Sequence, residues 1–178
     1  MNAPVLVLPG YADSGPEHWQ SRWEAADPSC RRVMQRDWLN PSLGEWREAL
    51  DRAIGACDRP PVLVAHSLGC ALVAHHVAAG GRPVKSALLV APADVDMVAM
   101  VLEAVQSFAP VPLVPLPFPS IVVASTDDPY VSAERAAAFA RAWGSRLVTL
   151  DGAGHINTDS GYGEWSQGRE LLEELRRD

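Results

Sequence analysis

The chain has 178 residues, 48 % of them hydrophobic and 21 % charged, the balance of one globular domain with a sizeable core. Lys and Arg number 15 against 22 Asp and Glu, a net charge of −7, which argues against nucleic acid or an anionic membrane as the main partner. Cys30, Cys57 and Cys70 are an odd number of cysteines without metal-ligand spacing, so a cytoplasmic, reducing setting is expected, with no disulfide framework.

In chain order, Val5 to Leu8 predicts a first strand. The run stops at Pro9 and follows no basic segment, so it does not read as a signal peptide. The loop Pro9-Gly10-Tyr11-Ala12-Asp13-Ser14-Gly15 lacks both G-x-G-x-x-G and a phosphate-loop lysine, and no nucleotide is expected there. Pro16 to Ala25 predicts a helix with Trp19 and Trp23 on one face. Arg32 to Met34 is a weak strand. Pro41 to Cys57 predicts a helix with Ser42 as N-cap, Glu45 three residues later, and Trp46, Leu50 and Ile54 along one stripe. Val62 to Ala65 is a strand, and Leu68 to Ala79 a helix closed by Gly80-Gly81. Ser86 to Ala91 predicts a strand, and Asp94 to Ser107 is helical by period.

The longest apolar tract, Phe108 to Ala124, carries Pro110, Pro112, Pro115, Pro117 and Pro119. That proline content rules out a membrane-spanning helix. It leaves the tract as either a stiff connector or a cover over a site entrance that shapes a pocket. Ile121 to Ser125 is a strand, Ala133 to Trp143 a helix ended by Gly144, Arg146 to Leu150 a strand, and Trp165 to Arg176 a last helix. The alternation predicts an α/β class: a mostly parallel central sheet of about six strands, helices on both faces, in a single domain over 1–178.

The chemistry concentrates around Val62-Leu63-Val64-Ala65-His66-Ser67-Leu68-Gly69. A buried strand meets a serine flanked at two residues by small side chains, and a helix follows at once. That is the outline of a nucleophile elbow, although Ala65 stands where the usual motif has Gly. The competing reading is a serine that merely caps a helix. Functional groups of a parallel sheet gather at the carboxyl ends of its strands. Asp127 and Asp128 follow one later strand, and His155 follows the next in Asp151-Gly152-Ala153-Gly154-His155-Ile156-Asn157. The resulting order Ser, Asp, His is that of α/β-hydrolases. Asp94 and Asp96 are further candidates for the acid, or caps of the next helix. An oxyanion would be met by the Leu68 N–H and by a second N–H from the loop after the first strand, that of Tyr11 or, alternatively, Gly10.

Leu8-Pro9-Gly10-Tyr11, Glu17-His18-Trp19-Gln20, His66-Ser67-Leu68-Gly69, Ala124-Ser125-Thr126-Asp127-Asp128-Pro129-Tyr130 and Gly154-His155-Ile156-Asn157 together resemble the small serine hydrolases of the YdeN and retinoblastoma-binding-protein-9 type. The resemblance runs from about Val5 to about Leu172. It implies a compact α/β-hydrolase fold without a large lid domain, with Ser67 as nucleophile, His155 as base and Asp128, rather than Asp127, as the acid.

The remaining candidates have plainer readings. His66 is expected to be packed or hydrogen-bonded structurally. His75 and His76 are adjacent and point to different sides of a helix, and no metal-binding motif occurs, so neither metal nor cofactor is expected. His18 and Trp19 are expected to pack at a helix start, with substrate contact as the alternative. Cys70 is expected to be a small buried hydrophobe. The function expected is hydrolysis of a small carboxylic ester or amide through an acyl-enzyme, as by a carboxylesterase. The alternative is a protein-binding module on a hydrolase fold.

Overall fold

A computed structural model describes residues 3–177. Six short strands, β1 (Val5–Leu8), β2 (Cys30–Arg32), β3 (Val62–His66), β4 (Ser86–Val90), β5 (Ser120–Ser125) and β6 (Arg146–Leu150), form one sheet in the order β2-β1-β3-β4-β5-β6. Every neighbouring pair is parallel. Parallel pairing needs a crossover between strands, and the helices supply it: α1 (Trp19–Ala26), α2 (Leu43–Gly55), α3 (Leu68–Ala78), α4 (Val95–Val98), α5 (Ala133–Trp143) and α6 (Ser166–Arg177).

Successive strand residues point to opposite faces, so each strand feeds two cores. Leu6, Leu8, Leu63, Ala65, Leu89 and Val122 pack with Trp46 and Leu50 of α2, Leu72 of α3, and Phe139 and Trp143 of α5. Val5, Val7, Val62, Val64, Leu88 and Val90 pack with Trp19 and Trp23 of α1 and Leu172 and Leu175 of α6. The four inner strands are buried on both faces, which is why they read as continuous apolar runs. No helix among the described residues is long and apolar enough to cross a membrane.

Several elements differ from expectation, each for a physical reason. α1 starts at Trp19 rather than Pro16, because His18 is extended and caps it with its own ring. β2 is Cys30–Arg32 rather than 32–34; Val33 still donates to Val7 O at 2.9 Å, so the chain follows β1 one residue further. Ser42 precedes α2 but its side chain makes no cap bond. The Leu43 N–H donates instead to Ser107 Oγ at 3.2 Å, and Glu45 pairs with Arg36.

The largest correction concerns 94–107. Only Val95–Val98 is α-helical; Leu102, at φ −129° and ψ 89°, leaves helical geometry, and Glu103–Phe108 forms a 3-10 helix. Asp96, inside that short turn, accepts the Val111 N–H at 2.9 Å and pairs with Arg135 at 2.6 Å, which ties the turn to the proline tract and to α5. The proline tract is stapled to the end of α5, with Leu116 N–H on Trp143 O and Trp143 Nε1–H on Pro112 O.

The strand order reverses between β1 and β3: the chain passes from β1 to β2 on one side, then returns to place β3 and the later strands on the other. Ligands of open parallel sheets bind in the crevice beyond the strand ends at such a point. The loop after β1 and Ser67 after β3 both sit there.

Candidate active site

Ser67 occupies the turn between β3 and α3 with φ 55° and ψ −119°. A left-handed φ at a residue with a side chain costs about 1–3 kcal/mol and persists only where the surroundings enforce it. The Ser67 N–H is held by Val90 O at 3.0 Å. The helix-cap reading fails: an N-cap is extended and its oxygen accepts a helical N–H, whereas Ser67 makes no such bond. The small neighbours are explained by close approach. A Cβ on Gly69 would lie 2.4 Å from Leu8 O, and one on Gly10 would lie 2.9 Å from Ser67 Cβ. The loop after β1 therefore lies directly against the serine.

His155 arrives from the loop after β6. Its Nδ1 lies 2.9 and 3.0 Å from the two carboxylate oxygens of Asp128. The Asp128 side chain is wholly buried and that of His155 is 9 % exposed. Asp128 also accepts the Tyr130 N–H at 2.9 Å, and the Tyr130 ring meets His155 edge-on at 4.6 Å. With Nδ1 donating to the carboxylate, a neutral imidazole presents its Nε2 lone pair.

Asp127 does something different. It accepts Ser125 Oγ–H and the Gly154 N–H, both at 2.7 Å, and so holds the backbone just before His155. The Ser125 hydroxyl, then the Gly154 N–H, keep its carboxyl below the usual carboxylate range. Asp94 and Asp96 are turned away, both paired with Arg135 at 3.2 and 2.6 Å.

Three further contacts fix the histidine loop. Gly154 and Ile156 have φ of 53° and 48°. The two carbonyls that this bend exposes are both taken: His155 O by His66 Nε2 at 2.8 Å, and Ile156 O by Trp19 Nε1–H at 2.9 Å. To reach a carbonyl, His66 must carry its proton on Nε2. Burial, then the nearby His155 and His18 rings, hold His66 well below its ordinary value, so it is neutral. His18 lines the cavity and also caps α1, its Nδ1 accepting the Gln20 N–H at 3.2 Å. Gln20 is buried and donates to Leu8 O and Val64 O near the ends of β1 and β3. The Glu17-His18-Trp19-Gln20 segment thus ties α1, two strands and the histidine loop together.

Ser67 and His155 line one cavity of about 460 Å³, together with Gly10, Tyr11, His18 and Leu68. Ala12 N–H is used by Trp38 O and Asp13 N–H by Gly10 O. Among the described residues, neither the Gly10 nor the Tyr11 N–H meets a backbone carbonyl. The Leu68 N–H is in the first turn of α3, where helical geometry leaves donors without acceptors. One wall of the cavity is apolar: Ala93, Val95, Val98, Leu102 and Val105. The proline tract is not among the residues that line it. Sequence reasoning missed this wall, and also Tyr130 and the bracing role of Asp127. The run Asp127-Asp128-Pro129-Tyr130 held the signal for the last two.

A family model described as serine hydrolase matches residues 5–174. No curated protein matches the chain. Among solved structures, a YdeN-like hydrolase from Pectobacterium atrosepticum is 36 % identical, over 98 % of this chain and 91 % of the other, with a TM-score of 0.87. The ydeN gene product of B. subtilis is 20 % identical over 99 % and 100 %, with a TM-score of 0.76. Est1E from Butyrivibrio proteoclasticus shares the fold at 13 % identity over 99 % and 89 %, with a TM-score of 0.71. With its sheet order, its elbow at Ser67 and a family match over nearly its whole length, the chain belongs to the serine hydrolases, as a small YdeN-like member with the α/β-hydrolase fold.

Proposed function

We propose that the protein cleaves small carboxylic esters or amides through an acyl-enzyme on Ser67. The observation that carries this reading is the bond from His155 Nδ1 to the buried carboxylate of Asp128, with His155 and a strained Ser67 lining one cavity. His155 removes the hydroxyl proton as Ser67 attacks the carbonyl carbon, then gives it to the departing alcohol or amine. Asp128 keeps the ring in the right tautomer and stabilises its charged form. The N–H groups of Leu68 and Tyr11 receive the developing oxyanion, in a site where fixed dipoles need no reorganisation. The apolar wall from Ala93 to Val105 takes the acyl chain. Water enters by the same route to release the acid. Carboxylesterase-type chemistry needs no cofactor or metal, and the unpaired Cys30, Cys57 and Cys70 support a cytoplasmic setting.

Hydrolysis of short-chain p-nitrophenyl esters tests the reading. Ser67→Ala or His155→Ala should lower kcat by roughly 10³-fold or more. Wild-type turnover in either variant would refute it. A protein-binding module with little turnover has one observation in its favour, the exposed Met97, Met100 and Val101. Failure of the folded wild type to hydrolyse any ester would favour that role.

A further inference from the structure

The polar groups of Trp19 and Gln20 are all accounted for inside the protein, but His18 between Pro16 and α1 is not. Its Nδ1 is occupied as acceptor by the Gln20 N–H, which puts the proton of the neutral ring on Nε2. That Nε2 is out of contact with bulk solvent and has no hydrogen-bond partner among the described residues. Buried donors without acceptors are rare in native proteins and call for an explanation. His18 is 5 % exposed and lines the cavity that holds Ser67 and His155.

The two faces of the sheet say which part of the cavity this is. Trp19, next to His18, and Ile156, next to His155, pack on one face, whereas Val95 and Val105 of the apolar wall pack on the other. The His18 ring stands edge-on to His66 at 4.9 Å, and His66 lies 4.7 Å from His155. The orphan donor is therefore on the histidine side of Ser67, the side from which a leaving group collects its proton, and the apolar wall is on the other.

We propose that His18 is a substrate-binding residue whose Nε2–H donates to an oxygen of the leaving group. Preferred substrates then join an apolar acyl group to an alcohol or amine bearing an ether, hydroxyl or carbonyl oxygen. This rests on the serine-hydrolase mechanism of Ser67. Burial, then the nearby Arg32 and His155, lower His18 to about 4, so the ring stays a neutral donor at neutral pH.

The test uses two esters with one acyl group, n-butyl butyrate and 2-methoxyethyl butyrate, which differ by an ether oxygen in place of a methylene. Two variants separate the two ring nitrogens. His18→Asn keeps an acceptor where Nδ1 stands and has no donor at Nε2. His18→Gln places an amide nitrogen at the Nε2 position and loses the Nδ1 acceptor. The ratio of kcat/KM for the methoxyethyl over the butyl ester should fall about 3- to 10-fold in His18→Asn, mainly through KM, and stay close to wild type in His18→Gln. An unchanged ratio in His18→Asn, or an equal fall in both variants, would overturn the proposal and leave His18 a helix cap. Persistent hydrolysis of both esters by Ser67→Ala would instead overturn the serine mechanism.

Discussion

The neighbouring carboxylates Asp127 and Asp128 divide two tasks that a sequence presents as one choice. Asp128 bonds the His155 ring, and Asp127 bonds the Gly154 N–H and the Ser125 hydroxyl. Asp128→Asn should lower kcat by about 10³- to 10⁴-fold, because an amide cannot hold the imidazole in the required tautomer or stabilise its charge. Asp127→Asn should give a smaller loss, since a neutral amide still accepts a hydrogen bond at one oxygen. If Asp127→Asn proved the more damaging, the acid would have to be reassigned. Gly10→Ala tests the oxyanion side: its Cβ would stand 2.9 Å from Ser67 Cβ and 3.2 Å from Leu68 N. A drop in kcat of about 10²- to 10³-fold with little loss of Tm is expected, as when one oxyanion donor is lost; wild-type kcat would contradict the placement. At this scale Ser67 and His155 were legible from the residues alone, because strand ends and chain order located them. The choice of Asp128 came from family resemblance. The three-dimensional turn after β5 was needed to see why Asp127 points to the loop backbone instead.

Most elements were legible because their burial is one-sided or complete. The stripe Trp46, Leu50 and Ile54 identifies α2, and the doubly buried runs identify the inner strands. The segment 94–107 departs from a continuous helix for a specific reason: its apolar residues repeat with a helical period, but Leu102 interrupts the helix, so Val95 and Val105 still reach the core from two separate turns while Val98 and Leu102 line the cavity. Periodicity reports a shared face, not continuous helical hydrogen bonding. This broken segment should set acyl-chain length. Val98→Phe fills space on the cavity wall, so kcat/KM for butyryl and longer esters should fall relative to acetyl by about 10-fold or more, within the range that one or two methylenes command in a pocket. Unchanged chain-length preference would place the acyl group elsewhere. Gly69 belongs to the same scale: a Cβ at 2.4 Å from Leu8 O would force α3 away from β1. Gly69→Ala should cost about 1–3 kcal/mol or more in urea unfolding.

For the whole molecule, the buried imidazoles couple stability to pH. His66 is held well below its ordinary value of 6.5 and His18 is lowered to about 4, in both cases first by burial. The unfolded chain binds protons on these rings below its ordinary value, while the folded chain resists them. Unfolding free energy should therefore fall as pH drops from about 6.5 toward 4. His18→Asn should remove part of that slope, and a variant slope equal to wild type in urea titrations at pH 7 and 5 would show that His18 is not the coupled group. The parallel sheet and the position of the site at the strand ends follow from the alternation of apolar runs and helices, whereas the strand order, and with it the switch point between β1 and β3, is seen only in the structure. What the alternation could not reveal was how one segment, Glu17-His18-Trp19-Gln20, braces the site through Ile156 O, Leu8 O and Val64 O. Those contacts span 12 to 137 residues of chain. We propose that this framework makes Ser67 an activated nucleophile. Intact-mass and peptide mass spectrometry after treatment with a fluorophosphonate tests it most directly. One adduct per chain on Ser67 is predicted, absent in Ser67→Ala; no adduct on the folded wild type, or an adduct that survives in Ser67→Ala, would contradict it.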